Sequence, residues 1–181
     1  VHADDISAVK GLVHRLFPSY EQVFSFRKTL GKTDAFSLES KDGKIIVSGN
    51  NANSMAVGLN HYMKYYCHVD VGWLKSDTYK LPTTPPRIPK PVTVKARVKN
   101  RFFLNYCTYG YTMPWWKWGE WEHFIDWMAL NGINLPLAIT GQESIGYKVW
   151  SELGLSDSTI RNYFTGPAHL PWHRMINIDR R

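Results

Sequence analysis

Asn105, Cys107 and Thr108 close one apolar run of the chain, and Thr140, Gly141, Gln142 and Glu143 close another, with Trp115 and Trp116 on the stretch between. Flat aromatic faces can cover the apolar side of a sugar ring while amides and carboxylates bond its hydroxyls, so this mixture suits a carbohydrate ligand. Eleven aromatic residues between Arg101 and Trp127 are more than a core needs in one place, and point to a deep pocket or an interface. Each candidate also has a structural alternative. Glu143 stands near a helix start, where a carboxylate is favoured by the macrodipole alone. Cys107 can serve as a small buried apolar residue and Asn105 as a partner for strand-end backbone groups. Trp115, Trp116 and Trp118 can be packing residues, and Glu120, Glu122 and Asp126 read as solvated or structural charges on a helix.

Other chemistries find little support. His169 and His173 have helical spacing but flank Pro171, which argues against a helix-borne metal pair. No phosphate-cradling glycine loop and no GxSxG nucleophile elbow occurs. Cys67 and Cys107 do not make a disulfide framework and are expected as free thiols in different structural units. The formal charge of +7 raises the question of a polyanionic partner. The densest basic stretch, Lys80 to Arg101, also carries Pro82, Pro85, Pro86, Pro89 and Pro91. It reads as a solvated linker rather than a face that tracks phosphates, so no nucleic acid partner is expected. No run approaches the roughly 18 apolar residues of a membrane span. Val1-His2-Ala3 before Asp4 has the spacing of a signal-peptidase site, a hint of an exported chain.

The elements that must position these residues follow from periodicity. Asp4 or Asp5 caps a helix with Ile6, Val9, Leu12, Val13 and Leu16 on one face, ended by Pro18. Strand-like runs occupy Val23–Phe26, Ala35–Leu38 and Lys44–Val47, the last two joined by an Asp42-Gly43 hairpin signal. Met55, Leu59, Tyr62, Met63 and Tyr66 stripe a second helix, and Val69–Trp73 reads as a further strand. Residues 1–80 thus form a small α/β domain and 81–100 a Pro-rich basic linker. Beyond it, Phe102–Thr108 reads as a strand buried on both faces. A helix follows with Trp121, Phe124, Ile125, Met128 and Ala129 inward and a stop at Asn131-Gly132. Ile133–Ile139 is a second strand despite Pro136, Gln142–Leu153 a helix, and Ser156 or Asp157 caps a short last one. Strand, loop, helix, turn, strand is the order of a parallel β/α barrel, whose functional side chains sit at the C-terminal strand ends.

The strings WMALNGIN, TGQE and FTGPAHLPW, in this order within residues 98–176, resemble the alpha-N-acetylglucosaminidases of glycoside hydrolase family 89. The first 80 residues resemble that family's small N-terminal domain more loosely. The resemblance implies the first β/α units of a (β/α)8 catalytic domain in residues 101–181, with the barrel incomplete in this chain. It implies a retaining exo-hydrolase, secreted, periplasmic or lysosomal, that removes terminal α-linked N-acetylglucosamine without metal or cofactor. It assigns Asn105, Cys107 and Trp172 to the sugar pocket, with Glu143 of TGQE as a further candidate. Lys117, Gly146 and His173 depart from the family's usual acidic, aromatic and glycine residues. Retaining hydrolysis needs two carboxyl groups roughly 5 Å apart, and the family's pair lies beyond Arg181. The expectation is therefore an N-terminal portion that is inactive alone. A non-catalytic carbohydrate-binding module is the alternative.

Overall fold

The computed structural model describes residues 4–74 and 78–178, so the signal-peptidase-like Val1-His2-Ala3 lies outside the described residues. Two compact units divide the chain: residues 1–101 with 118–135, and residues 102–117 with 136–181.

In the first unit, helix α1 (Asp5–Leu16) starts where the Asp4 carboxylate accepts the Ser7 N–H at 2.7 Å. It buries Val9, Leu12 and Val13, and Pro18 opens a 3-10 turn just past its end. Strands β1 (Phe24–Lys28), β2 (Ala35–Lys41) and β3 (Lys44–Gly49) follow, then helix α2 (Ala52–Tyr65). Asp42 and Gly43 make the two-residue turn between β2 and β3 with φ of 49° and 72°, the paired positive values that a type I′ hairpin requires. β4 (Val92–Lys95) completes a sheet of order β1-β3-β2-β4, parallel between β1 and β3 and antiparallel elsewhere. Asn51 caps α2 through the Ser54 N–H at 2.8 Å. Met55, Leu59, Tyr62 and Met63 of α2 join Phe36, Leu38, Ile45 and Val47 in one core.

Two segments depart from the sequence expectations. Val69–Trp73 forms no strand, although Val69 and Val71 are buried and Asp70 is exposed. Its backbone is satisfied elsewhere: Val69 N–H donates to Met63 O at 2.9 Å, and Gly72 O bonds His123 Nε2 at 2.9 Å. The Pro-rich segment 81–100 is exposed over most of its length, as a linker would be, but is also tied to this unit at several points. Prolines offer no N–H, and here their carbonyls accept instead, Pro82 from the Tyr20 hydroxyl at 2.5 Å and Pro86 from the Tyr62 hydroxyl at 2.8 Å. Ile88 is buried and β4 is an edge strand.

Helix α3 (Trp118–Leu130) packs into the same unit. Its hidden face differs from the purely apolar one expected: His123 and Asp126 are buried with Phe124 and Leu130, while Ile125 is exposed. Both polar groups are satisfied, His123 at Gly72 and Asp126 by a fork from Arg15 at 2.6 and 2.7 Å. Trp121 and Trp127 pack around Phe124, the latter stacked with centroids 5.9 Å apart, so these two serve packing.

Cys67 and Cys107 are free thiols. Burial pushes the Cys67 thiol up, so it is a poor source of thiolate at neutral pH. Iodoacetamide is expected to label Cys107 in the folded chain and Cys67 only after unfolding. Equal labelling rates by peptide mass mapping would contradict this.

The second unit contains β5 (Phe102–Phe103), α4 (Gln142–Glu152), α5 (Asp157–Tyr163) and α6 (Leu170–Arg174), with β6 (Leu135–Pro136) at its boundary. Both strands are shorter than expected. Leu137 N–H donates to Phe103 O at 2.7 Å, but β5 and β6 have only each other as neighbours among the described residues, and Pro136 removes a donor. Ser156 caps α5, which buries Ile160; Trp150 stacks on Phe164 at 5.4 Å and meets Tyr163 edge-on at 5.0 Å.

Candidate functional site

The first apolar run turns sharply after β5 rather than extending to Thr108. Asn105 is the cause: its Oδ1 accepts the Thr108 N–H at 3.0 Å and the Thr108 hydroxyl at 2.9 Å. A short polar side chain that captures backbone two or three residues on competes with a ladder that has no further strand to extend it. The chain then enters a 3-10 turn, Cys107–Gly110. Asn105 is exposed and Cys107 half-buried, so both stand at the rim of this turn.

Trp172 closes over the same turn. A Cβ built on Gly110 would overlap Trp172 Cζ3 and lie 2.9 Å from Pro171 Cγ, so the indole rests directly on the Gly110 backbone. Tyr111 meets the indole edge-on, centroids 5.5 Å apart at 89°. Beneath them Tyr109 is buried, and its hydroxyl donates to Leu137 O. Burial pushes the Tyr109 phenol up, with the Arg174 guanidinium working against that rise.

Glu143 lies in the first turn of α4, where unpaired N–H groups favour a carboxylate. Both its oxygens are taken by Arg174, Nε to Oε1 at 2.5 Å and Nη2 to Oε2 at 2.6 Å, with side chains 19% and 11% exposed respectively. Arg174 is two residues from Trp172 on α6.

The structure thus gathers Asn105, Cys107 and Trp172 around the Cys107–Gly110 turn, and links Glu143 to the helix that carries Trp172. Thr140 and Gln142 are exposed beside Glu143, and Trp115 is exposed on its loop. His173 turns its ring edge-on to Tyr163 at 4.7 Å, with both ring nitrogens buried and unpartnered. No cluster of three or more His, Cys, Asp or Glu able to hold a metal occurs among the described residues. Sequence reading missed Gly110, Tyr109 and Arg174. Gly110, alone among aromatics in CTYGYT, was the one legible signal; the pairing of Arg174 with Glu143 spans 31 positions and leaves no local pattern.

Comparisons with known proteins converge on one family. A family model described as the alpha-N-acetylglucosaminidase (NAGLU) N-terminal domain matches residues 7–89, and one described as the alpha-N-acetylglucosaminidase (NAGLU) tim-barrel domain matches residues 101–180. The chain is 38% identical to human alpha-N-acetylglucosaminidase over 183 residues, covering 97% of this chain and 24% of the human protein. It superposes on a family 89 glycoside hydrolase from Clostridium perfringens in complex with PUGNAc at a TM-score of 0.88 and 36% identity, over 97% of this chain and 20% of that one. The same bacterial enzyme in complex with its substrate GlcNAc-alpha-1,4-galactose matches at a TM-score of 0.87, again with 36% identity, 97% of this chain and 20% of that one. The chain therefore spans about a quarter of the length of the human relative. Two domain models of one family, end to end over these residues, place the chain in the alpha-N-acetylglucosaminidase family, glycoside hydrolase family 89, as its N-terminal portion.

Proposed function

We propose that this chain is the N-terminal part of a retaining glycosidase that removes terminal α-linked N-acetylglucosamine, and that it supplies one wall of the sugar pocket. In this reading residues 1–80 are a small α/β domain, 81–100 connect it, and 101–181 begin a (β/α)8 barrel that is incomplete in this chain. The carrying observation is the seat of Trp172 on Gly110, the last residue of the turn that Cys107 opens and that Asn105 bonds through Thr108. An indole held by its neighbours offers a flat face to a sugar ring, the Asn105 amide offers donors to hydroxyls, and the Cys107 thiol lines the edge.

The acid pair lies elsewhere in this reading. Glu143 is committed to Arg174, and Asp157 accepts the Tyr147 hydroxyl at 2.5 Å and Arg161 Nε at 2.8 Å. We assign neither to the pair of carboxyl groups roughly 5 Å apart that a retaining mechanism uses. Ile145 and Val149 on α4 and Leu153 just past its end are exposed apolar side chains, the surface that further barrel units would cover in this reading. The 181 residues alone therefore bind weakly and do not turn over.

The test is hydrolysis of a chromogenic α-N-acetylglucosaminide by the 181-residue chain and by the full-length gene product. Turnover is expected only from the longer protein. In that protein Trp172→Ala removes an aromatic contact of about 1.5 kcal/mol, raising KM about tenfold. Turnover by the short chain that Glu143→Gln abolishes would refute the assignment.

A further inference from the structure

Helix α6 has five residues and no side-chain N-cap, so it cannot hold its own place. Something outside it must fix where Trp172 points. Arg174 follows Trp172 by two positions, which turns the two side chains roughly 200° apart around the helix axis. One flank of α6 rests its indole on Gly110, and the opposite flank reaches Glu143.

We infer that Arg174 is a positioning residue for the sugar-facing Trp172, acting through its forked ion pair with Glu143. The inference rests on the reading of Trp172 as a pocket residue. Two parallel N–H···O bonds fix both the distance and the plane of the guanidinium, which a single charge contact would not. The third nitrogen, Nη1, is buried with no hydrogen-bond partner. Glu143 is therefore the only hydrogen-bonded anchor of this cation among the described residues, and swinging away would leave a buried charge unpaired. The far end of the link lies in a longer element, the 11-residue α4, whose first turn carries Glu143. The carboxylate expected to bond a sugar thus serves to hold the helix that carries the aromatic platform. Lysine cannot reproduce this, since an ammonium is a point donor on a flexible stem.

The test uses the full-length gene product and reads binding of 2-acetamido-1,2-dideoxynojirimycin by tryptophan fluorescence, KM and kcat for a chromogenic α-N-acetylglucosaminide, and melting temperature. Arg174→Met and Glu143→Gln are each expected to weaken binding by up to about tenfold, the loss that Trp172→Ala itself brings, and to raise KM alike. Arg174→Lys should fall between, and the double variant should be no worse than either single one, because both remove the same link. A lower melting temperature with binding and KM unchanged would mean a merely structural bridge and overturn the inference. Additive losses in the double variant would overturn it as well. Should Arg174→Met not fold, Arg174→Lys against Glu143→Gln decides. Binding that ignores Arg174→Met but is lost in Trp172→Ala refutes this inference alone. Binding absent from the unmodified protein, or indifferent to Trp172→Ala, refutes the pocket reading and this inference with it.

Discussion

Gly110→Ala is expected to unseat Trp172 and to weaken binding of an N-acetylglucosamine analogue by up to about tenfold, the loss expected for the indole contact itself. The added methyl would overlap the indole and press on Pro171 Cγ at 2.9 Å, so either α6 or the Cys107–Gly110 turn must shift. Overpacking of this kind costs about 1–3 kcal/mol, which chemical denaturation will read. Gly146→Ala is the control. Its Cβ would meet Phe164 Cζ at 3.7 Å, an ordinary contact, in the middle of α4. There alanine is expected to stabilise by up to about 1 kcal/mol through helix propensity, with binding untouched. Equal binding by Gly110→Ala and the unmodified protein, measured by fluorescence titration, would remove the close approach of Trp172 from the pocket.

Arg101→Ala is expected to cost the first unit about 2–3 kcal/mol, less than breaking a fully buried ion pair from one side, because this pair is only part-buried. Its guanidinium donates to Asp34 Oδ2 at 2.5 Å, Asn53 Oδ1 at 3.2 Å, Val98 O at 3.0 Å, Lys99 O at 3.3 Å and Gly132 O. Truncation removes the charged partner of the part-buried Asp34 carboxylate, which keeps the Asn51 amide at 2.7 Å, and strips the Val98 and Gly132 carbonyls of this donor. Arg101→Lys recovers only part, because one ammonium cannot reach that fork of acceptors. The pair also sets a pH signature. The hydrogen bond from Arg101 holds the Asp34 carboxyl below its ordinary value, so its contribution is present above the unfolded value of about 3.9 and is lost as pH falls through the lower folded value. Denaturation of Arg101→Ala should therefore show a shallower loss of stability across that acid window. An unchanged slope would mean that Asp34 is held by other groups.

The first unit was legible because its cues are local. Asp4 caps α1, Asp42-Gly43 turns the hairpin, and Met55, Leu59, Tyr62 and Met63 recur at helical spacing, each acting within a few residues of itself. Partners far along the chain were not legible. Asp126 read as a surface or structural charge is buried because Arg15, 111 positions away, forks onto it. Arg101, counted in a basic stretch, is consumed by internal acceptors, so it adds nothing to a polyanion-binding face.

By itself the amino-acid sequence determined α1, the β2–β3 hairpin, α2 and the family strings, but not β4, and the strand expected at Val69–Trp73 does not form. Tertiary structure decided where the strands stop, because a ladder persists only while a neighbouring strand offers partners, and the Asn105 side chain takes the Thr108 N–H instead. It also decided which aromatics are consumed in packing. Trp121 and Trp127 are drawn into packing around Phe124, while Trp172, distant in sequence, is seated on Gly110 because that position alone there has no Cβ to hold it off.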